Sequence, residues 1–414
     1  EFVEAKDGSS LIQTTISKIE DKTYGQTSRK RCAGILASLS RAANAKELAD
    51  VVEKTAARCE KALVEKDVIG CELGAFTLGM IASKDGGGKR LVAESATGGG
   101  GGAKKTKKGG ANGSLASKTV VPVLSKLCTT FVEKMENNEE ADEAFASIAE
   151  QSLMALETIC GRFGEVTSKS AKEKQLEELL QMAVKLLTYD PNYDDDEEEE
   201  DDVPADEMET CQIRTPDHTM KDADDECEDD NDDDDDDAYD EDYYSDEIED
   251  DDSWKVRRAS ARVVGVILCS ASEGILQRHH EVVFKKFFKR MKSDREDAVK
   301  LECFDALTAA FAAFPKTCDS GLTRALVEKA RDLAIVRAQQ ECALEKAKKT
   351  SQSAIAAATK RKIASLKLLG KIGRANRRLA FVEASEISRS RLADAIAGAA
   401  VTTFTDSGAS SEKD

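Results

Sequence analysis

Histidine is nearly missing from this 414-residue chain, which has only His218, His279 and His280. His279 and His280 are adjacent, on what reads as a helix-to-helix turn, with no second His or Cys at ligand spacing. No His-Glu-x-x-His stretch and no nucleophile elbow can be placed. The expectation is a non-enzymatic protein without metal or cofactor, since acid–base and metal chemistry draw first on histidine. Aromatic residues make up only 5% of the chain, and Trp254 is the single tryptophan. Sheets favour aromatic and β-branched side chains, so this scarcity argues against a β fold. Of five prolines, three (Pro191, Pro204, Pro216) sit in one acidic stretch, which leaves the rest free to form helix. No apolar run approaches the ~18 residues of a membrane span, and no signal peptide is evident. Eleven cysteines are present, but none forms a Cys-x-x-Cys pair. They read as reduced, intracellular core residues, as Cys160 and Cys303 do on apolar faces.

What the chain does have is alanine and leucine throughout, and a lopsided charge. From Tyr189 to Asp252 there are 36 Asp or Glu against Arg214 and Lys221. That stretch carries −34 of a total of −20, so the remaining residues carry +14. A basic body with an acidic insert is expected, and dense like charge opposes collapse of the insert. The insert is no EF-hand, because repeated Asp lacks the ligand spacing and the turn glycine. Within it, Ser245 precedes Asp246 and Glu247, a context that suits acid-directed phosphorylation. A second stretch, 85–114, holds glycine runs beside lysines such as Lys104 and Lys105. It does not match a phosphate-binding loop, since neither the Gly-x-x-x-x-Gly-Lys spacing nor a preceding strand is there. A flexible basic linker is the reading.

The remainder has helical periodicity. Cys303, Leu307 and Phe311 lie four apart on one face, following Asp294, Val299 and Lys300. Asp251, Val256, Arg257, Ser260, Val264 and Leu268 repeat that series 43 positions earlier. Arg29, Cys32, Leu36 and Leu39 fit the same template, and Glu150, Leu153 and Ile159 fit it loosely. Glu150 and Arg257 are 107 apart, and removing the 64 residues of the acidic stretch restores 43. A further copy at Arg361, Ala364 and Leu368 lies at longer spacing, predicting an extra loop or helix. A period near 43 with Asp at a helix start and Val-Arg or Val-Lys on the next helix is the HEAT pattern. The predicted fold is all-α, a HEAT-repeat α-solenoid with disordered glycine-rich and acidic loops. Its predicted organisation is repeats over 1–84, glycine/lysine-rich insert over 85–114, repeat over 115–188, acidic loop over 189–252 and repeats over 253–414. Trp254 is expected to pack at a helix start, closing the loop. Three basic clusters (Arg29-Lys30-Arg31, Lys285-Lys286 with Lys289-Arg290, and Lys360-Arg361-Lys362) suit acidic protein surface or the chain's own acidic loop. No aromatic platform for nucleic acid accompanies them.

The borders of the acidic stretch carry a family resemblance. Before it stand Leu186-Leu187-Thr188 and then Tyr189, Asp190, Pro191, Asn192 and Tyr193. After it stand Ser253, Trp254, Lys255, Val256, Arg257 and Arg258. These blocks resemble the N-terminal half of the cullin-associated, neddylation-dissociated proteins, which are HEAT-repeat proteins with an acidic loop between such flanks. The glycine-rich insert departs from the family pattern, the acidic loop is longer, and family members are about three times as long. The chain, which opens on Glu1, would match an interior N-terminal portion. The resemblance implies a scaffold that binds unneddylated cullin–RING ubiquitin ligase cores and regulates exchange of their substrate-receptor modules. It implies a cullin and its RING subunit as partners, a monomer within a heteromeric complex, and residence in cytoplasm and nucleus. No nucleic acid, membrane or cofactor is implied. Alternatives are an importin-β-like transport receptor, an acidic histone-binding chaperone and, ranked with the latter, a helical enzyme subunit.

Overall fold

A computed structural model describes residues 5–83, 114–136, 143–163, 169–190, 252–271, 273–313, 321–346, 352–375 and residue 393. Twelve α-helices, and no strand, occur among the described residues. They are α1 (Ala5–Glu20), α2 (Gln26–Ala42), α3 (Ala45–Val64), α4 (Val68–Ala82), α5 (Val121–Glu136) and α6 (Glu143–Phe163). Then come α7 (Lys169–Leu187), α8 (Ser253–Ser270), α9 (Glu273–Ser293), α10 (Asp297–Ala313), α11 (Gly321–Lys346) and α12 (Gln352–Ala375). The all-α class expected from alanine, leucine and few aromatics is what the structure has. Most of the glycine-rich stretch and the acidic residues 191–251 lie outside the described residues, as do Pro191, Asn192, Tyr193, His218, Ser245 and Asp251. Ser114 belongs with the helices instead: it is buried, and its Oγ accepts from the Ser117 N–H at 3.2 Å.

Local chemistry sets several helix boundaries. Asn44 opens α3 with a reciprocal cap: its Oδ1 accepts from the Glu47 N–H at 2.9 Å, and its own N–H donates to Glu47 Oε2 at 2.9 Å. Asp67 opens α4 by accepting from the Gly70 N–H at 3.0 Å. The turn before it puts Lys66 at φ 56°, a left-handed conformation, while the Asp67 N–H reaches back to the Ala62 carbonyl at 2.8 Å. A π-helical turn, Ala116–Val120, leads into α5. Pro122 follows it, and proline has no N–H to continue an α-helical ladder.

Helices pair in chain order, α1 with α2 through α11 with α12. Each even-numbered helix also packs on the next: α2 on α4, α4 on α6, α6 on α8, α8 on α10 and α10 on α12. Odd-numbered neighbours from α3 onward touch less extensively. The even helices therefore carry most of the core. Of the 15 residues of α4, ten are buried, which one amphipathic stripe alone would not give. Phe304 and Phe311 of α10 and Phe287 of α9 are completely enclosed, each contributing about 1.5–3 kcal/mol by leaving water.

The 43-residue template has a packing meaning. Val256, Ser260, Val264 and Leu268 of α8 are buried, and so are Val299, Cys303, Leu307 and Phe311 of α10. The copy in α2 is shifted at its end: Arg29, Leu36 and Ser40 are buried, whereas Cys32 and Leu39 are half-buried. The longer spacing to Arg361 comes with a longer α11, at 26 residues, with no additional helix among the described residues. Seven described cysteines form no disulfide, and five of them are buried. Burial pushes the thiols of Cys59 and Cys128 up to about 12, which makes them inert core groups.

Candidate functional site

The two borders of the acidic stretch meet at a buried ion cluster. α7 ends at Leu187, and its last carbonyls have no partner within the helix. Arg257, one turn into α8, donates from Nη1 to the Tyr189 carbonyl at 3.0 Å and to Ser253 Oγ at 2.7 Å. Its Nε donates to Asp294 Oδ2 at 3.0 Å. Arg290, in the last turn of α9, donates to the Leu187 carbonyl at 3.0 Å and the Thr188 carbonyl at 2.6 Å, and lies 3.5 Å from Asp294. Arg257, Arg290 and Asp294 are all buried. Two guanidinium groups thus share one carboxylate and satisfy the negative end of a helix. Asp294 also accepts from the Glu296 N–H at 2.9 Å, an amide of the turn before α10 rather than one of the helix's own, which it was expected to cap.

The same device recurs at the end of α1. Arg29 of α2 donates to the Ile19 carbonyl at 2.8 Å, and Arg58 of α3 donates to that same oxygen at 3.1 Å. Arg337 of α11 donates to the Lys292 carbonyl at the end of α9. In each case an arginine from a neighbouring helix closes the end of an odd-numbered helix. The alignment of Arg29 with Arg257 reflects this shared task. Glu150 does not take it up in α6: it is half-buried near Lys255 and Arg258, and burial pushes its carboxyl up.

Of the border residues singled out by resemblance, Tyr189, Ser253 and Arg257 are structural parts of this clasp. Tyr189 sets its ring edge against Phe131 at 5.1 Å. Asp190 is half-buried at the last described position before the stretch, and Ser253 and Val256 are buried. Trp254 packs half-buried against the core at the start of α8, as expected. Lys255 pairs with Asp252 at 2.6 Å. Asp252 itself makes no side-chain cap bond at the start of α8. Arg258 points elsewhere, to Glu302 of α10 at 3.4 Å.

The basic clusters are reassigned. Arg29 and Arg290 are buried in helix ends, Lys30 pairs with buried Glu72 at 2.7 Å, and Arg361 pairs with Asp297. Lys362 is buried too. Only their exposed members, such as Arg31, Lys285 and Lys360, remain on the surface as cations. The histidines are corrected as well: His279 and His280 lie inside α9, not on a turn. His279 Nε2 is 2.6 Å from Glu177 of α7, and Arg278 holds the same carboxylate through two bonds at 2.9 and 3.0 Å. These bonds hold the Glu177 carboxyl well down, at about 2.

A second feature had no signal in the sequence. A groove of about 410 Å³ is lined by residues of α6, α8 and α10. Gly161, Gly265, Val266, Ala306 and Ala309 give it a largely apolar wall, with Glu157, Arg262, Glu302, Asp305 and Cys269 around them. Gly265 makes the floor possible, since a Cβ there would stand 2.7 Å from the Cβ of Ala306 and 3.0 Å from its Cα. Arg262 is committed to Glu302 at 2.7 Å. No group of three or more His, Cys, Asp or Glu able to hold a metal occurs among the described residues. No described helix is long and apolar enough to cross a membrane.

Fold and clasp define the class: an all-α array of helix pairs in which arginines close the ends of α1, α7 and α9. Comparison goes no further than that, because no protein-family model, no curated protein and no solved structure matches the chain.

Proposed function

We propose that this chain is a non-enzymatic scaffold that binds unneddylated cullin–RING ubiquitin ligase cores and regulates exchange of substrate-receptor modules on them. The observation that supports this reading is the convergence of the two resemblance blocks. Tyr189 and Arg257, 68 positions apart, are joined by a hydrogen bond at one buried joint. The flanks therefore behave as one structural unit around one insert, rather than as two unrelated matches. The mechanism needs no catalytic residue. A row of packed helix pairs offers a long surface, and binding free energy shifts which complex is populated. Such a scaffold would work in the cytoplasm and nucleus as a monomer within the heteromeric complex.

The test is capture of a purified cullin with its RING subunit, unneddylated and neddylated, on the immobilised chain. Preferential retention of the unneddylated form supports the reading. Equal retention of both forms, or retention of neither, would overturn it. Retention of a GTP-loaded Ran-type GTPase or of histones in place of the cullin would move the chain to the transport-receptor or histone-chaperone class.

A further inference from the structure

We infer that the groove between α6, α8 and α10 is a docking site for a lysine or arginine side chain of a partner protein, carried on an apolar segment. The inference rests on reading the chain as a protein-binding array, but not on which partner it binds. Three carboxylates, Glu157, Glu302 and Asp305, line the groove against one guanidinium, Arg262. Glu302 is already engaged, by Arg262 at 2.7 Å and Arg258 at 3.4 Å. Glu157 and Asp305 have no hydrogen-bond or ion-pair partner among the described residues. Lys367 of α12 acts on Asp305 through space, and Arg262 and Arg258 act on Glu157, none of them as an ion pair. Burial pushes both carboxyls up, Glu157 from a half-buried position and Asp305 from an exposed one, and the opposing charges offset this only in part. A half-desolvated carboxylate without a partner costs stability, and an incoming cation would offset that cost.

The groove's shape selects the kind of cation. Its wall is glycine, alanine and valine, which suits the methylene stem of lysine or arginine while the head reaches the carboxylates. A small inorganic cation would leave that apolar wall wet. The chain's own acidic stretch, with 36 Asp or Glu, has the wrong sign to fill it. Charge complementarity therefore selects a basic segment over an acidic one.

Cys269 lines the groove and is exposed, which provides a local reporter. The full chain is alkylated with iodoacetamide, and modification of the Cys269 peptide is followed by mass spectrometry. The probe is a blocked hexapeptide, Ala-Leu-Arg-Ala-Leu-Arg, compared with its norleucine-for-arginine version. The arginine peptide is expected to slow Cys269 alkylation about fivefold at roughly four times its dissociation constant. The Glu157→Gln/Asp305→Asn double variant is expected to lose that protection while keeping its circular dichroism and its alkylation rate without peptide. Asp305→Asn alone, at an exposed position, serves if the double variant misfolds, and is expected to lose part of it. Three results overturn the inference. The norleucine peptide protects equally. The arginine peptide binds the chain without slowing Cys269. Or Cys269 becomes protected with rising chain concentration alone, which would make the occupant a second copy. Failure to retain a cullin with Cys269 protection intact would remove the proposed partner and leave the groove standing.

Discussion

The odd-numbered and even-numbered helices are held to their neighbours by different chemistry. Even helices meet through small residues. A Cβ on Gly79 of α4 would come within 3.1 Å of Ala155 of α6, and one on Gly265 of α8 would clash with Ala306 of α10. Odd helices reach each other through side chains: Arg58 from α3 to α1, Arg290, Arg278 and His279 from α9 to α7, and Arg337 from α11 to α9. The odd layer is joined chiefly by charge and helix-end carbonyls, whereas the even layer adds close packing of small residues to its own ion pairs, such as Arg262 with Glu302 and Lys30 with Glu72. The two should respond differently to substitution, salt and pH.

The largest effect is expected where charge is buried. Asp294→Ala leaves Arg257 and Arg290 facing each other and three helix-end carbonyls, with no carboxylate between them. Removing one member of a buried ion cluster costs on the order of 3–5 kcal/mol. Asp294→Asn keeps the shape and one acceptor, so its cost is expected to be smaller. An array unfolds in parts, so hydrogen exchange at the ends of α7 and α9 is a better measure than a single melting point. If exchange there is unchanged in Asp294→Ala, the clasp does not join the odd layer.

The even layer is tested by Gly265→Ala. The added methyl meets Ala306 Cβ and Cα at 2.7 and 3.0 Å, where no flexible side chain is available to yield. Overpacking of that kind costs about 1–3 kcal/mol. The cost is expected to be insensitive to salt and to pH, in contrast with the odd layer. Denaturant unfolding at low and high salt checks it, and a salt-dependent loss would erase the distinction between the layers.

These two layers were not equally legible in the sequence. The even layer left a periodic trace: Val256, Ser260, Val264 and Leu268 repeat as Val299, Cys303, Leu307 and Phe311 because both sets face a core with the same helical period. The odd layer left little. Arg290 is 103 positions from the Leu187 carbonyl it closes, and a backbone acceptor has no residue identity to read. Arg290 therefore stood in a basic cluster as a surface charge. Arg58 had no visible partner at all, although it lies 39 positions from Ile19. The groove was silent for a related reason. Glu157, Cys269 and Asp305 come from three helices, and each alone is an unremarkable helix residue. Only the closeness permitted by Gly265 brings them together.

The smallest effect is expected at the exposed end of the odd layer. Arg278 is more than half exposed, and Glu177 is solvent-accessible, so their pair is open to salt screening. Its signature is pH dependence rather than magnitude. The Glu177 carboxyl lies at about 2 in the fold, chiefly through the hydrogen bonds from Arg278 and His279. In the unfolded chain a glutamate titrates near 4.3. A lowered folded value means the pair's contribution is fully present above that unfolded value. It is then lost as pH falls from there toward 2, because the unfolded state takes up the proton first. Glu177→Gln has no such titration. Its melting temperature is expected to lie slightly below the parent's at pH 6, with the gap closing as pH approaches 2. The gap should also close when salt is raised at pH 6, which Gly265→Ala should not do. A gap that persists at low pH and high salt would mean Glu177 acts by packing, and the exposed odd-layer contact would then resemble the even layer it was set against.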